Sequence, residues 1–177
     1  RLGFMRGEFN VTRESPAAWF KFYTSEEVSK INEIWFTHGV YDLVNKKQVA
    51  DANFPGTQFE DVYKKAWGVL PTGELYESYR LTRNWRDVVQ KSLWVNKGNP
   101  NTEKLRTALR KMLNDPETMA EIERNAGKYD WIVGEDGDAV IGELFKLVTE
   151  PALKGAVRWN QEAYGFPSVF KPELLKK

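Results

Sequence analysis

The sequence predicts a helix-rich α/β chain built around one sizeable core. Three observations carry this. Apolar residues recur at helical spacing through much of 101–164. Short runs rich in β-branched and aromatic residues stand at 9–12, 34–37 and 92–95. The 177 residues, 41% hydrophobic and 14% aromatic, suffice to bury about 70% of the unfolded surface, and no repeat or flexible linker divides them.

Arg1 to Gly7 reads as the end of a helix, so the chain, which starts at Arg1 rather than Met, is expected to be processed, trimmed or partial. Phe9-Asn10-Val11-Thr12 alternates apolar and polar residues as a half-buried strand does. Ser15 then serves as N-cap with Pro16 at the first helical position, opening a helix to about Tyr23. Ser25-Glu26-Glu27 is a second helix start, with Val28 and Ile31 as a short apolar stripe. Ile34-Trp35-Phe36-Thr37 reads as a buried strand, and Gly39 to Thr57, with Asn45-Lys46-Lys47 and Pro55-Gly56, reads as loop.

Phe59, Val62, Tyr63 and Trp67 share one face of a helix that Gly68 ends. A longer charged helix runs from Glu74 to Gln90, with a break expected near Asn84. Ser92-Leu93-Trp94-Val95 is the third strand candidate. Asn101 or Thr102 caps a helix carrying Leu105, Leu109, Met112 and Leu113; Asp115-Pro116-Glu117 breaks it and caps the next, which Gly127 stops. Tyr129 to Val133 reads as extended. Val140, Leu144, Leu147 and Val148 mark another amphipathic helix, and Pro151 opens a last one through Trp159 and Tyr164.

Composition excludes several functions. Lys and Arg number 26 against 25 Asp and Glu, which argues against a nucleic-acid partner, since phosphate binding needs clustered cations. Without cysteine there is no disulfide frame, iron–sulfur cluster, zinc knuckle or thiol nucleophile. His38 is the single histidine, so a metal site with two or three histidines is out, and no G-x-S-x-G elbow supplies a serine for it to activate. No catalytic residue, metal ligand or cofactor is expected. Glu135-Asp136-Gly137-Asp138 is too short for an EF-hand and reads as an acidic helix start. Trp19, Trp35, Trp67, Trp94 and Trp159 lie in apolar patterns and are expected in the core, with Trp85 and Trp131 more exposed.

The most suggestive spot is Thr12-Arg13-Glu14-Ser15-Pro16, where the first strand is expected to run straight into a helix N-terminus. Unpaired N–H groups, the dipole's positive end and Arg13 would favour a carboxylate there, with Thr12, Arg13 and Ser15 as ligand-binding residues. The competing reading is an ordinary capped helix, which local pattern alone favours.

Leu93-Trp94-Val95-Asn96-Lys97-Gly98-Asn99-Pro100, followed by Lys104 to Leu113 and then Asp115-Pro116-Glu117, resembles the C-terminal portion of the Bug-type periplasmic receptors of tripartite tricarboxylate transporters. In that family a short strand and a G-x-P turn lead into a helix, a D-P-E break and another helix ending at glycine. Arg6-Gly7-Glu8-Phe9 is similar to the family's (R/S)-G-E-(V/I) approach to a second-lobe strand, and Phe54-Pro55 with Phe59-Glu60-Asp61-Val62-Tyr63 resembles its P-x-x-P-T-x-x-E segment. The resemblance implies part of a type II periplasmic-binding-protein architecture, with residues 1–92 as a second-lobe segment and 93–177 as C-terminal helices returning across the hinge. It implies a non-enzymatic, periplasmic solute receptor, a small carboxylate ligand bound near Thr12, Arg13 and Ser15, and a cognate membrane permease as partner. Because the family's first lobe is absent, apolar surface is expected to be uncovered, with a homodimer as one way to cover it. The alternative is a stand-alone helical module whose aromatic faces bind a protein partner.

Overall fold

The computed structural model describes residues 2–89, 92–126, 131–167, 169 and 171–175. The chain is helix-rich, with one small two-stranded sheet among the described residues. By contacts it forms two compact units that interleave in sequence. The first comprises Arg1–Ile34 and Lys97–Val133; the second comprises Trp35–Asn96 and Gly134–Lys177. The division drawn at 92/93 from the resemblance falls inside the second unit.

The first unit contains α1 (Leu2–Met5), α2 (Pro16–Phe22) and α3 (Glu26–Ser29). α2 starts as its sequence dictates: Ser15 is the N-cap, its Oγ accepting from the Ala18 N–H at 3.3 Å, and Pro16 occupies the first turn. Tyr23 is the buried centre, stacked on Trp19 at 5.4 Å, met edge-on by Phe4 and donating its hydroxyl to Glu14 Oε1 at 3.2 Å. Asn32 donates its amide to the Val28 and Tyr23 carbonyls, closing the chain after α3. α6 (Thr102–Leu113) and α7 (Pro116–Ala126) follow in the same unit, hinged at Asp115, which caps α7 through the Thr118 N–H at 3.0 Å. The stop expected at Gly127 and the first part of the extended piece at 129–130 lie outside the described residues.

The second unit is organised by α5 (Glu74–Val89), which packs chiefly on α9 (Glu150–Tyr164) and also on a β-hairpin and α8 (Glu135–Phe145). α9 starts at the Thr149 cap with Pro151 in its first turn and ends at Gly165 in the left-handed region. Ala152 is fully buried on it, and Gly155 lies against the Glu74 carbonyl and Ser78 Cβ, so the two backbones approach where no side chain intervenes. Leu144 and Val140 of α8 complete the buried apolar set with Phe54, and Trp85 meets Phe145 edge-on at 5.1 Å. α4 (Phe59–Trp67) ends at Gly68, whose φ of 77° needs glycine.

Several expectations are corrected. Phe9–Thr12 forms no strand and pairs in no ladder with any described residue, and Phe9 and Val11 are exposed. Ser92–Val95 is likewise outside any ladder, with Leu93, Trp94 and Val95 in solvent. Ile34–Thr37 reaches only one parallel bridge, between Thr37 and Gln58. The supposed loop instead holds the sheet, β1 (Val40–Asp42) paired antiparallel with β2 (Lys47–Val49) in the register Val40–Val49, Tyr41–Gln48, Asp42–Lys47. Strands of three residues are too short for alternation to show. α5 runs unbroken through Asn84, which is buried beside Arg83.

The tryptophan assignment also fails. Trp35, Trp67, Trp94 and Trp159 are exposed, Trp19 is half-buried, and Trp85 and Trp131 are half-buried rather than on the surface. The chain's accessible surface is 13052 Å². Two separate compact units of these lengths would expose about 10,600 Å² together, so the packing within the units leaves large apolar side chains uncovered.

Candidate functional site

An aromatic cluster in the second unit sets up the site. Phe59, at the start of α4, contacts Tyr79 at 4.6 Å, Phe36 at 5.6 Å and Tyr63 at 5.9 Å between ring centroids. The spacing of Tyr76, Tyr79, Arg80 and Arg83 places all four on one face of α5. His38 Nδ1 lies 2.9 Å from the Tyr79 hydroxyl, and the Arg83 guanidinium sits 5.0 Å over the Tyr79 ring. His38 thus has a structural partner.

Arg83 anchors the polar side of this cluster. It is buried, and its Nη1 donates to Glu60 Oε1 at 2.6 Å, while the Tyr76 hydroxyl donates to the same oxygen at 2.7 Å. Burial by itself raises the Glu60 carboxyl, but the hydrogen bonds from Tyr76 and Arg83 outweigh it and hold the group below its ordinary value. Tyr76 moves the other way, pushed up to about 12 by burial and by its bond to Glu60. A carboxyl depressed on folding adds stability that is present above its unfolded value and lost as the pH falls through its folded one. Stability should therefore decline as the pH falls below about 4.5, the ordinary value of this group. Denaturant titrations from pH 6 to 2 should show a shallower decline for Glu60→Gln than for the parent; parallel curves would remove Glu60 from the acid response.

Beside this anchor lies a cleft of about 440 Å³. The hairpin contributes Tyr41, Lys46, Lys47 and Gln48, α5 contributes Tyr76, Arg80, Arg83 and Asn84, and the end of α8 contributes Glu143 with Lys146 and Leu147 just beyond it. Gln58 and Glu60 close it at the start of α4. Five cationic side chains (Lys46, Lys47, Arg80, Arg83 and Lys146) face two carboxylates, Glu60 and Glu143. Glu60 is committed to Arg83, and Arg80 takes its carboxylate partner, Glu77, from outside the lining at 3.1 Å. Counted over the lining alone the cations are in excess, and Glu77 offsets part of that excess from outside. Gln48 fixes the hairpin against α5, donating to Asp87 Oδ2 at 2.9 Å and to the His38 carbonyl at 2.8 Å, and its buried Oε1 has no hydrogen-bond partner among the described residues.

The residues expected to bind ligand lie elsewhere. Thr12 and Arg13 are exposed ahead of α2 in the first unit, and Ser15 spends its side chain on the Ala18 N–H. That is the geometry of a capped helix, and no strand leads into it. A second depression, on α6, is lined by Glu103, Lys104, Thr107, Ala108 and Lys111 of one helix only and gathers no converging groups. Among the described residues no three histidine or carboxylate side chains converge as metal ligands, and no helix is long and apolar enough to cross a membrane. Of the cleft's features the sequence displays only the basic and aromatic stripe at 76, 79, 80 and 83; the hairpin and the start of α4 reach it from outside any local pattern.

Comparison with known proteins finds no matching family model, no curated relative and no similar solved structure.

Proposed function

We propose that the chain is a solute-receptor-like protein that binds a small carboxylate without transforming it, and that delivers it to a membrane transporter outside the cytoplasm. The motif resemblance to the Bug-type receptors, with their type II periplasmic-binding-protein architecture, supports the class. The observation that carries the ligand chemistry is the cleft in the second unit, where five cations drawn from three elements face two carboxylates. A ligand with two or three carboxylates satisfies that excess better than one with a single charge. Lys46, Arg80 and Lys146 are the groups to hold it, since their own ion pairs with Glu143 and Glu77 are open to water, whereas Arg83 is buried against Glu60.

The mouth of α2, with Thr12, Arg13 and Ser15, is the other place for an anion. It is the weaker one, because α2 has seven residues and its Ala18 N–H is already satisfied. A thermal-shift series with acetate, succinate and citrate decides between them. At one hundred times its dissociation constant citrate should add roughly 2.7 kcal/mol of stability, with acetate well behind. Lys46→Gln with Arg80→Gln should abolish the shift and Arg13→Ala should keep it; the reverse pattern moves the site to α2. No shift with any carboxylate removes the receptor reading. It would then favour the helical interaction module, for which the exposed Trp35, Trp67, Trp94 and Trp159 speak.

A further inference from the structure

The two carboxylates in the cleft differ in how firmly they are held. Glu60 is locked: its side chain is 16% exposed, its Arg83 partner 4%, and Tyr76 adds a second bond. Glu143 is not. Its carboxylate meets Lys146 Nζ at 2.8 Å and Lys46 Nζ at 3.9 Å, with Lys146 69% and Lys46 46% exposed. Ion pairs so open to water contribute little and exchange readily. The Lys146 hydrogen bond holds the Glu143 carboxyl below its ordinary value despite some desolvation, so it is ionised wherever the ligand would be.

Lys46 is placed with some insistence. It is the only described residue other than glycine with positive φ, at 51°, in a turn position where glycine or asparagine would sit without strain. The Asp42 carboxylate fixes the turn by accepting from the Val44 and Asn45 N–H groups, each at 2.9 Å. The outcome is a lysine from the hairpin and a lysine from the end of α8 converging on one carboxylate at the wall of the cleft.

We propose that Glu143 is a built-in competitor, its carboxylate occupying the place between Lys46 and Lys146 that a ligand carboxylate takes, and swinging into solvent when ligand enters. This rests on the cleft being the carboxylate site. The competitor keeps both lysines compensated in the empty protein. It also sets a threshold, because a monocarboxylate merely replaces Glu143 whereas a ligand with further carboxylates gains contacts with Arg80 and Lys47 as well.

The test is calorimetric titration of the full chain with citrate in three forms: parent, Glu143→Gln and Glu143→Asp. Glutamine removes the charge, and aspartate keeps it but falls one methylene short of Lys46. A competitor predicts that both variants bind citrate about fivefold more tightly than the parent, with the gain shrinking in high salt. Tightening by glutamine alone would mean that Glu143 acts only through the general field, and equal affinity in all three would mean that it does not act; either overturns the proposal. Binding by none of the three would remove the cleft as the carboxylate site and the competitor with it. Glu143 is half-exposed and packs no core, so unchanged melting temperatures are expected and would confirm that each variant folds.

Discussion

Gly155→Ala is expected to lower the unfolding free energy by about 3 kcal/mol, the upper range for forcing a group into a packed interface. In an exposed helix the same exchange stabilises, since glycine there costs roughly 1 kcal/mol relative to alanine. The sign reverses at 155 because the new Cβ would meet the Glu74 carbonyl and carbon, which are backbone, and then Ser78 Cβ. None of these is the free end of a flexible side chain, so α5 and α9 must separate. This contact is the main one in the second unit, and α5 also carries Tyr76, Arg80 and Arg83. Gly142→Ala supplies the control: it too lies within a helix, α8, but nothing stands within 4 Å of its would-be Cβ. Urea denaturation of the two variants should move the midpoint in opposite directions. A stabilised Gly155→Ala would show that α5 and α9 do not meet as described.

Arg83→Met should cost a similar amount, about 3–5 kcal/mol at neutral pH, the range for breaking a buried pair by removing one partner. Methionine fills much of the volume but leaves the Glu60 carboxylate, whose side chain is 16% exposed, with the neutral donors Tyr76 and Gln58 and no longer a guanidinium to compensate it. It also removes the cation over the Tyr79 ring. Lysine should rescue only part of the loss, because its ammonium cannot both stack on Tyr79 and reach Glu60 as the guanidinium does. The deficit should shrink in acid, where Glu60 takes up a proton and no longer needs a cation. Chemical denaturation at pH 7 and pH 4 measures this directly, and a deficit independent of pH would mean that Arg83 contributes packing rather than charge.

What was legible in the sequence was local. Ser15-Pro16 fixes the start of α2, Gly68 the end of α4 and Asp115-Pro116 the break between α6 and α7, because caps and stops act within a turn of the chain. The strands were not legible. Phe9–Thr12, Ile34–Thr37 and Ser92–Val95 have strand composition, but a strand exists only with a partner, and composition does not name one. The hairpin that does form hid in turn chemistry, its Asp42 and Asn45 visible and its three-residue strands too short to register. The tryptophans misled for the opposite reason: an apolar neighbourhood in sequence does not guarantee cover in space, and Trp94 between Leu93 and Val95 remains in solvent.

The candidate site follows the same division. The basic and aromatic stripe on α5 can be read from spacing alone. That Arg83 is buried and neutralised while Arg80 faces a cleft depends on Glu60 from α4 and on the hairpin, which no local pattern supplies. The emphasis on Arg13 and Ser15 came from a local signal, a helix start beside an arginine. Such a signal cannot tell a cap that holds its own N–H from one that waits for a ligand.

The central claim is that the second unit's cleft takes a small polycarboxylate. A ¹⁵N-resolved NMR titration of the intact chain with citrate tests it most directly. The account predicts saturable shifts at the amides of Lys46, Lys47, Gln48, Arg80 and Lys146, with those of 12–18 unmoved. Shifts confined to 12–18, or none at any citrate concentration, would contradict it.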